Sequence, residues 1–339
     1  MHGKIYITKT KMKTAFLTEM GFFGKIPNDH PNMRTEFAWM NALDADHYPI
    51  SEYSNIEGYD HVFLIFPKGE VYLNAVGGKL IDKINPVRQL LQSNFYQIIK
   101  NKNKKLHFVQ EGPYWLFNDY EIIDQINYYN LISECDSIFC HNQQDKKYYS
   151  GMFPDKQVNI IPSLMIETLI HSIKPNKEDL AIIGGNFSRW YGGFESYNVA
   201  QEFNVPVWAQ DSHSKREHED QLENINHFPR LMWNQWMQEL SKFKYAVHLM
   251  PTVAAGTFSL NCAYFGIPCI GNINVDTQRI CHPELSVDVY DIENAKKLAK
   301  KLKEDKYFYK ECSVTAEIAY NQHYHKDIWL QYINEIINS

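Results

Sequence analysis

Short apolar runs alternate with helical spans along nearly the whole chain, and this alternation constrains the fold more than any other feature. The runs are Thr14–Thr18, Tyr59–Phe66, Leu106–Gln110, Ser137–Cys140 and Val158–Pro162, with His47–Ile50 a shorter candidate. They restart at Leu180–Ile183, Val205–Trp208, Tyr245–Met250, Cys269–Ile270 and Val287–Tyr290. Between them lie spans of helical periodicity: Arg34–Leu43, Pro86–Lys100, Asn118–Asn130, Gln144–Gly151, Phe194–Phe203, Leu231–Phe243, Gly256–Phe265 and Ile292–Leu302. Strands spaced by helices predict βαβ units and mostly parallel sheets. The polar, proline-bearing segment Lys174–Asp179 separates the two series and reads as a linker. The expected organisation is α/β: two Rossmann-like domains, 1–173 and 179–312, facing a central cleft, with an aromatic-rich helical tail, 313–339, packing back on the first domain.

A length of 339 residues is comfortable for two domains. Hydrophobic residues at 44% and charged residues at 22% fit a globular chain. No apolar run approaches the roughly 18 residues that span a membrane. The basic start, Met1–Lys13, lacks an apolar core and predicts no secretion signal; Met12 is an alternative start. The six cysteines form no C-x-x-C pair and sit in apolar patterns, which predicts buried thiols and a cytoplasmic setting. A net charge of −6, shared by both halves, advertises no broad nucleic-acid surface. A monomer is expected.

Lys244–Gly271 reads as one unit: a strand, a small-residue turn Pro251–Ala255, a helix from Gly256, a stop at Gly266-Ile267-Pro268, and the next strand. In open parallel sheets ligands bind beyond the strands' carboxyl ends, often at a helix N-terminus, where free N–H groups suit phosphate. Gly256, Thr257, Phe258, Ser259 and Asn261 are therefore candidates for contact with a phosphate-bearing ligand. Ile182–Ser196 adds a second such loop, with Gly185, Asn186, Ser188 and Arg189 between two glycine pairs. Glycine admits close backbone approach, and the arginine fork fits phosphate oxygens. In the first half, the loop from Gly21 to Arg34 carries Gly24 and His30, with Lys25 and Arg34 as phosphate candidates. Glu111 ends the fourth strand and is a candidate general base, with Asp119 as the fallback and His30 as a third candidate. Arg34, Tyr114, Trp115, His141 and Asn142 lie on the loops and strand ends that face the same expected cleft. The histidines lack metal-ligand spacing, and no Walker loop, G-x-S-x-G elbow or H-E-x-x-H is present.

The two glycine-loop domains and the helical tail look like a GT-B glycosyltransferase. Gly266-Ile267-Pro268 resembles the end of the A-x-G-x-P motif of the large retaining GT-B families. Asn261 falls where those families carry a ribose-gripping glutamate. A further similarity is to phage enzymes that glycosylate hydroxymethylcytosine in DNA. Gly184-Gly185-Asn186-Phe187-Ser188-Arg189 with Glu195-Ser196 is similar to the G-G-S-F-R…E-S loop of the phage β-glucosyltransferases. Ser137–Asn142 is similar to the I-F-S-H-S segment of the α-glucosyltransferases. The resemblance implies glucosyl or pentosyl (arabinosyl) transfer from a nucleotide-diphosphate sugar, UDP-sugar favoured, to an acceptor hydroxyl. It implies donor contacts from Gly21, Gly24, Gly185, Asn186, Ser188, Arg189, Gly256, Thr257, Phe258, Ser259 and Asn261, and acceptor contacts from Arg34, Tyr114, Trp115, His141 and Asn142. No cofactor or metal is required on this reading. The favoured acceptor is 5-hydroxymethylcytosine in double-stranded phage-type DNA, placing the enzyme in the host cytoplasm if phage-encoded. Lys79, Lys83, Arg88 and Lys100–Lys105 offer a modest basic cluster for phosphates. A glycan or small-molecule acceptor, a non-catalytic nucleotide-sugar-binding module and a GT-B-like epimerase are the alternatives.

Overall fold

A computed structural model gives the fold. It describes residues 12–18, 23–27, 35–65, 71–72, 75–76, 79–80, 83–84, 95, 97, 99, 104–110, 112–119, 121–188, 190–209 and 218–337. Two six-stranded sheets carry the molecule. The first comprises β1 (Thr14–Thr18), β2 (Asp46–Pro49), β3 (His61–Ile65), β4 (Lys105–Val109), β5 (Ser137–Cys140) and β6 (Gln157–Ile160). Its order is β6-β5-β4-β3-β1-β2, with every pairing parallel. The second comprises β7 (Glu178–Ile183), β8 (Val207–Ala209), β9 (Ile225–His227), β10 (Phe243–His248), β11 (Cys269–Asn272) and β12 (Ser286–Val287). Its order is β9-β8-β7-β10-β11-β12, again all parallel.

These orders locate the crevices. In a doubly wound sheet a ligand sits where the strand order reverses. The reversal lies between β1 and β3 in the first sheet, and between β7 and β10 in the second. The central strands β1, β3 and β5 are buried at every position, as their unbroken apolar runs require.

The helices are α1 (Thr35–Leu43), α2 (Ile122–Glu134), α3 (Gln143–Met152), α4 (Gly193–Ala200), α5 (Trp233–Leu240), α6 (Thr257–Tyr264), α7 (Asp276–Cys281), α8 (Ile292–Glu304), α9 (Lys306–His323) and α10 (Lys326–Ile337). Among the described residues, no helix is long and apolar enough to cross a membrane. The expected single tail is two helices. α9 runs without a break through residue 313 and packs on α6, α7 and α8. α10 returns to the first sheet, where Trp329, Ile333 and Ile337 join Phe16, Trp39 and Phe63 in one apolar cluster. The indoles of Trp39 and Trp329 both donate to the Pro162 carbonyl, each at 2.9 Å, and Tyr332 donates to Ile160 O at 2.9 Å.

The expected linker is shorter than its composition suggests, because Glu178 and Asp179 already belong to β7. Lys177 is pinned by Gly266 O at 2.6 Å. Two further elements escape the apolar pattern, β9 and α7, and the strand expected over Val287–Tyr290 is the edge strand β12, Ser286–Val287. The helix expected over Asn118–Asn130 begins at Ile122 instead, after a 3-10 segment Tyr114–Asp119. The Pro86–Lys100 expectation falls mostly outside the described residues.

Candidate active site

Two helices begin at the carboxyl ends of the neighbouring strands β7 and β10, and both begin on a left-handed glycine. Gly192 (φ 61°) precedes α4 and Gly256 (φ 67°) precedes α6, and neither helix has a side-chain cap. The first-turn N–H groups are thus offered outward, with the positive helix ends, at the topological crevice. Packing demands the glycines as well. A Cβ on Gly192 would lie 1.9 Å from Leu249 O, and one on Gly256 would lie 2.0 Å from Thr277 Oγ1. Ser196 links the two turns: its hydroxyl donates to Gly192 O at 2.7 Å and accepts from Leu249 N at 2.9 Å. Thr277 donates to Gly256 O at 2.7 Å and shares a hydrogen bond with Ser259 at 2.8 Å.

Side by side, the donor-site candidates divide by what they present. Thr257 is exposed on the first turn of α6. Phe258 turns its ring into the core between His248 and Trp236, so only its backbone faces the turn's outer end. The hydroxyl of Ser259 is committed to Gly256 O at 3.1 Å and to Thr277. Asn261 is buried on the next turn. In the companion loop, Gly185 has φ 72° over the Tyr191 ring, and Asn186 Oδ1 accepts from Ser188 N at 2.9 Å. Gly24 (φ 78°) pairs with His47 beyond the end of β1. Lys25, a phosphate candidate by sequence, is bound to Asp44 and Asp46. Gly21, His30, Arg34, Glu111 and Arg189 lie outside the described residues, as does the side chain of Asp119.

The acceptor candidates come from the facing edge of the first sheet. Trp115 stacks on Trp190 of the glycine loop, with ring centroids 5.2 Å apart and 26° between planes, so one aromatic pair joins the two sheet units. Tyr114 stacks on Tyr148 at 4.1 Å. His141 is buried and stacks on Trp39 at 5.3 Å. Asn142 has a different task from the one expected of it. Its side chain is fully buried and caps α3, accepting from Asp145 N at 2.9 Å and donating to Asp145 Oδ2 at 2.8 Å.

Two residues that the sequence reading passed over also meet here. Asp145 is held beneath Tyr114, and burial pushes its carboxyl up to about 6. Asp276, at the start of α7, accepts the Gln143 N–H from the opposite unit, and burial raises its carboxyl too. Asn272 fastens the turn between β10 and α6 by donating to Met250 O at 2.8 Å. Ser163, on the connection between the sheets, donates to Ala255 O at 2.5 Å. His248, at the end of β10, is half-buried beneath Gly184, and burial lowers it to about 4, so it is neutral. Among the described residues no group of three His, Cys, Asp or Glu side chains could hold a metal.

No family model matches the chain. No curated protein matches it by sequence. Solved structures do match. HepE of Anabaena, solved with UDP and glucose, is similar over 97% of this chain and 100% of its own, at a TM-score of 0.65 and 9% identity. An alpha-glucosyltransferase solved with UDP and a 13-mer DNA containing an HMU base is similar over 97% of this chain and 100% of its own, at 0.62 and 10% identity. The sucrose-phosphate synthase of Thermosynechococcus elongatus is similar over 96% and 100%, at 0.60 and 13% identity. The chain has the GT-B fold. Trp115 meets Trp190 of the glycine loop, and Tyr114 and Trp115 line one cavity with Pro251 and Val253 of the turn before α6.

Proposed function

We propose that this chain is a glycosyltransferase that moves a sugar from a nucleotide-diphosphate sugar, a UDP-sugar by preference, to an acceptor hydroxyl. One observation carries the reading: two uncapped, glycine-started helices at the β7/β10 crevice. A diphosphate spanning them meets two sets of backbone N–H groups and two positive dipole ends without needing a metal. Fixed donors aimed at the departing diphosphate stabilise the charge that grows as the sugar–oxygen bond breaks. Arg189 would add its fork to those donors, and Asn261 would hydrogen-bond the ribose. The solved structures of like fold agree with the donor class, since HepE holds UDP or UDP-glucose.

For the acceptor the reading is a hydroxymethylated pyrimidine in DNA, 5-hydroxymethylcytosine in particular. A structure of like fold holds UDP with DNA containing an HMU base. Trp115 and Tyr114 at the cleft suit stacking of an extruded base. Glu111 is the proposed base if the reaction inverts, with Asp119 and His30 behind it. If the reaction retains configuration, the leaving phosphate takes the hydroxyl proton.

Calorimetric titration with UDP tests the donor site: a saturable, one-to-one isotherm is expected, and none for any nucleoside diphosphate overturns the reading. The acceptor is tested by salt. Affinity for a duplex bearing hydroxymethylcytosine should fall steeply as salt rises, because phosphate contacts release counterions. Transfer to a small glycan with no salt dependence would place the acceptor in the other class.

A further inference from the structure

The short helix α7 touches both the Gly256 turn and the other sheet unit. Its two ends brace the first turn of α6. Near its start, Thr277 donates to Gly256 O at 2.7 Å and shares a hydrogen bond with Ser259 Oγ at 2.8 Å. Just past its end, His282 donates from Nε2 to Ser259 O at 3.0 Å. Thr277, Ser259 and His282 are all buried. The fit leaves no slack, because a methyl group on Gly256 would collide with Thr277 and Val275.

Asp276 precedes Thr277 and serves the first unit instead. Its carboxylate accepts the Gln143 N–H, and its Oδ1 also accepts from Arg279 Nη2 at 3.1 Å. Gln143 is the first residue of α3, so its N–H is one of those a helix leaves without an internal partner. Asn142 satisfies the Asp145 N–H from within the first unit. The Gln143 N–H is satisfied from the second unit, by a carboxylate, which the positive end of α3 favours. Two adjacent residues thus do separate jobs: Asp276 caps a helix across the cleft, and Thr277 holds the turn that starts α6. Separating the units breaks the first contact and frees the segment that makes the second.

We propose that Asp276 is a positioning residue: by capping α3 across the cleft it holds α7, and through Thr277 the Gly256 turn, in the geometry that binds the donor diphosphate. The donor's part rests on the transferase reading; the mechanical link from α3 to the Gly256 turn does not. Such a coupling is reciprocal, so a diphosphate seated on α6 favours the joined units by the factor by which joining favours the diphosphate.

The link can be cut from its far side. Gln143→Pro removes the N–H that Asp276 accepts, and proline suits the first position of a helix. Asn142 before it is already extended (φ −153°, ψ 167°), as the residue preceding a proline prefers. Gln143→Ala loses the same side chain and keeps the N–H, so it is the reference. In the full-length protein, calorimetric titration with UDP should show Gln143→Pro weaker than Gln143→Ala by about fivefold or more. Asp276→Ala should lose a similar factor, and the double variant should be no weaker than the weaker single one, because both cut one contact. A merely structural role would lower stability without moving UDP affinity from the other unit. The proposal is overturned if the wild type binds UDP and Gln143→Pro binds it as tightly as Gln143→Ala, or if the two losses add. If the wild type binds no nucleoside diphosphate, the donor reading fails and amide hydrogen exchange decides the link. Faster exchange across Gly256–Tyr264 in Gln143→Pro than in Gln143→Ala sustains it, and equal exchange overturns it.

Discussion

Replacing Gly256 by alanine tests the donor turn at its tightest point. The backbone there sits at φ 67°, and a left-handed non-glycine residue costs about 1–2 kcal/mol. The added Cβ would lie 2.0 Å from Thr277 Oγ1, in the first turn of α7, and 2.5 Å from Val275 Cγ1, just before it. Overpacking of this kind costs about 1–3 kcal/mol. The sum, about 2–5 kcal/mol, should appear as a lower urea midpoint for the Gly256→Ala variant. The two contributions can be separated. In a Thr277→Ala background the nearest obstacle is gone, so the same glycine change should cost less there, while the backbone part persists. The turn also sets the first-turn N–H groups of α6. UDP affinity should therefore fall at least about tenfold under conditions where the variant is folded. A stability loss below about 0.5 kcal/mol, the scale of an ordinary surface change, would refute the packing argument. A full stability loss with unchanged UDP affinity would refute the phosphate role and leave the packing intact.

Other perturbations probe separate parts of the molecule. A double-mutant cycle over Trp115→Ala and Trp190→Ala should give a coupling of about 0.5–1.5 kcal/mol and abolish the paired-indole circular dichroism signal; additive effects would mean the rings do not stack in solution. His61, His107 and Ser137 form a buried chain, with 2.9 Å between the imidazoles and 2.7 Å to the hydroxyl. Burial lowers His61 and brings His107 down to about 3. Unfolded histidines take up protons below about 6.5, so the stability from these neutral rings is complete above that pH and is lost as pH falls through it toward 3. Asp145, raised to about 6, works in the opposite sense between its folded and unfolded values. The His107→Gln variant should therefore show a flatter urea midpoint against pH in the acid range, and an unchanged slope would exclude His107 as its source. Trp329→Ala should cost about 3–5 kcal/mol and raise binding of a hydrophobic dye, because it opens the cluster around Phe16 and Trp39; a cost under about 1 kcal/mol would mean α10 does not hold the first sheet. Glu111→Gln should abolish transfer with donor affinity retained, and a near-normal rate would remove it as the base.

The parts legible in the sequence were those written in local pattern. TAFLT, SIFC and the apolar run at Tyr245–Met250 are strands because buried parallel strands need unbroken apolar side chains, and all three are strands. Gly192 and Gly256 were readable because a turn from strand to helix often needs positive φ. What escaped depends on partners far along the chain. Ile225–His227 is short and half polar, and it is a strand only because β8 lies beside it. Trp115 and Trp190 are 75 positions apart in the numbering, and nothing local to either announces a stack. Asn142 is ambiguous for a different reason. At a strand end an asparagine can serve a ligand or a helix, and the Asn-x-x-Asp spacing that decides for the helix was present in the sequence.

The contacts that join the two units differ in kind from those that hold the tail, and the difference bears on function. Across the cleft the described residues supply the Gln143–Asp276 and Ser163–Ala255 hydrogen bonds and one indole pair. Polar interfaces of this sort let domains move relative to one another. The tail contact is apolar and closed, with Trp329 and Ile333 at 1% and 0% exposure, and both indole donors share the Pro162 carbonyl at the end of the first sheet. α9 is packed as firmly on the second unit. The chain therefore crosses between the units twice, at 161–177 and at Tyr324–His325, and both crossings lie on the side fixed by apolar packing. Opening the cleft breaks those hydrogen bonds and the indole pair. A hinge at those two crossings would admit a donor and an acceptor while leaving both cores intact. Closure would then rebuild the cavity between Trp115 and Asp288, which has walls from both units and exists only when they meet.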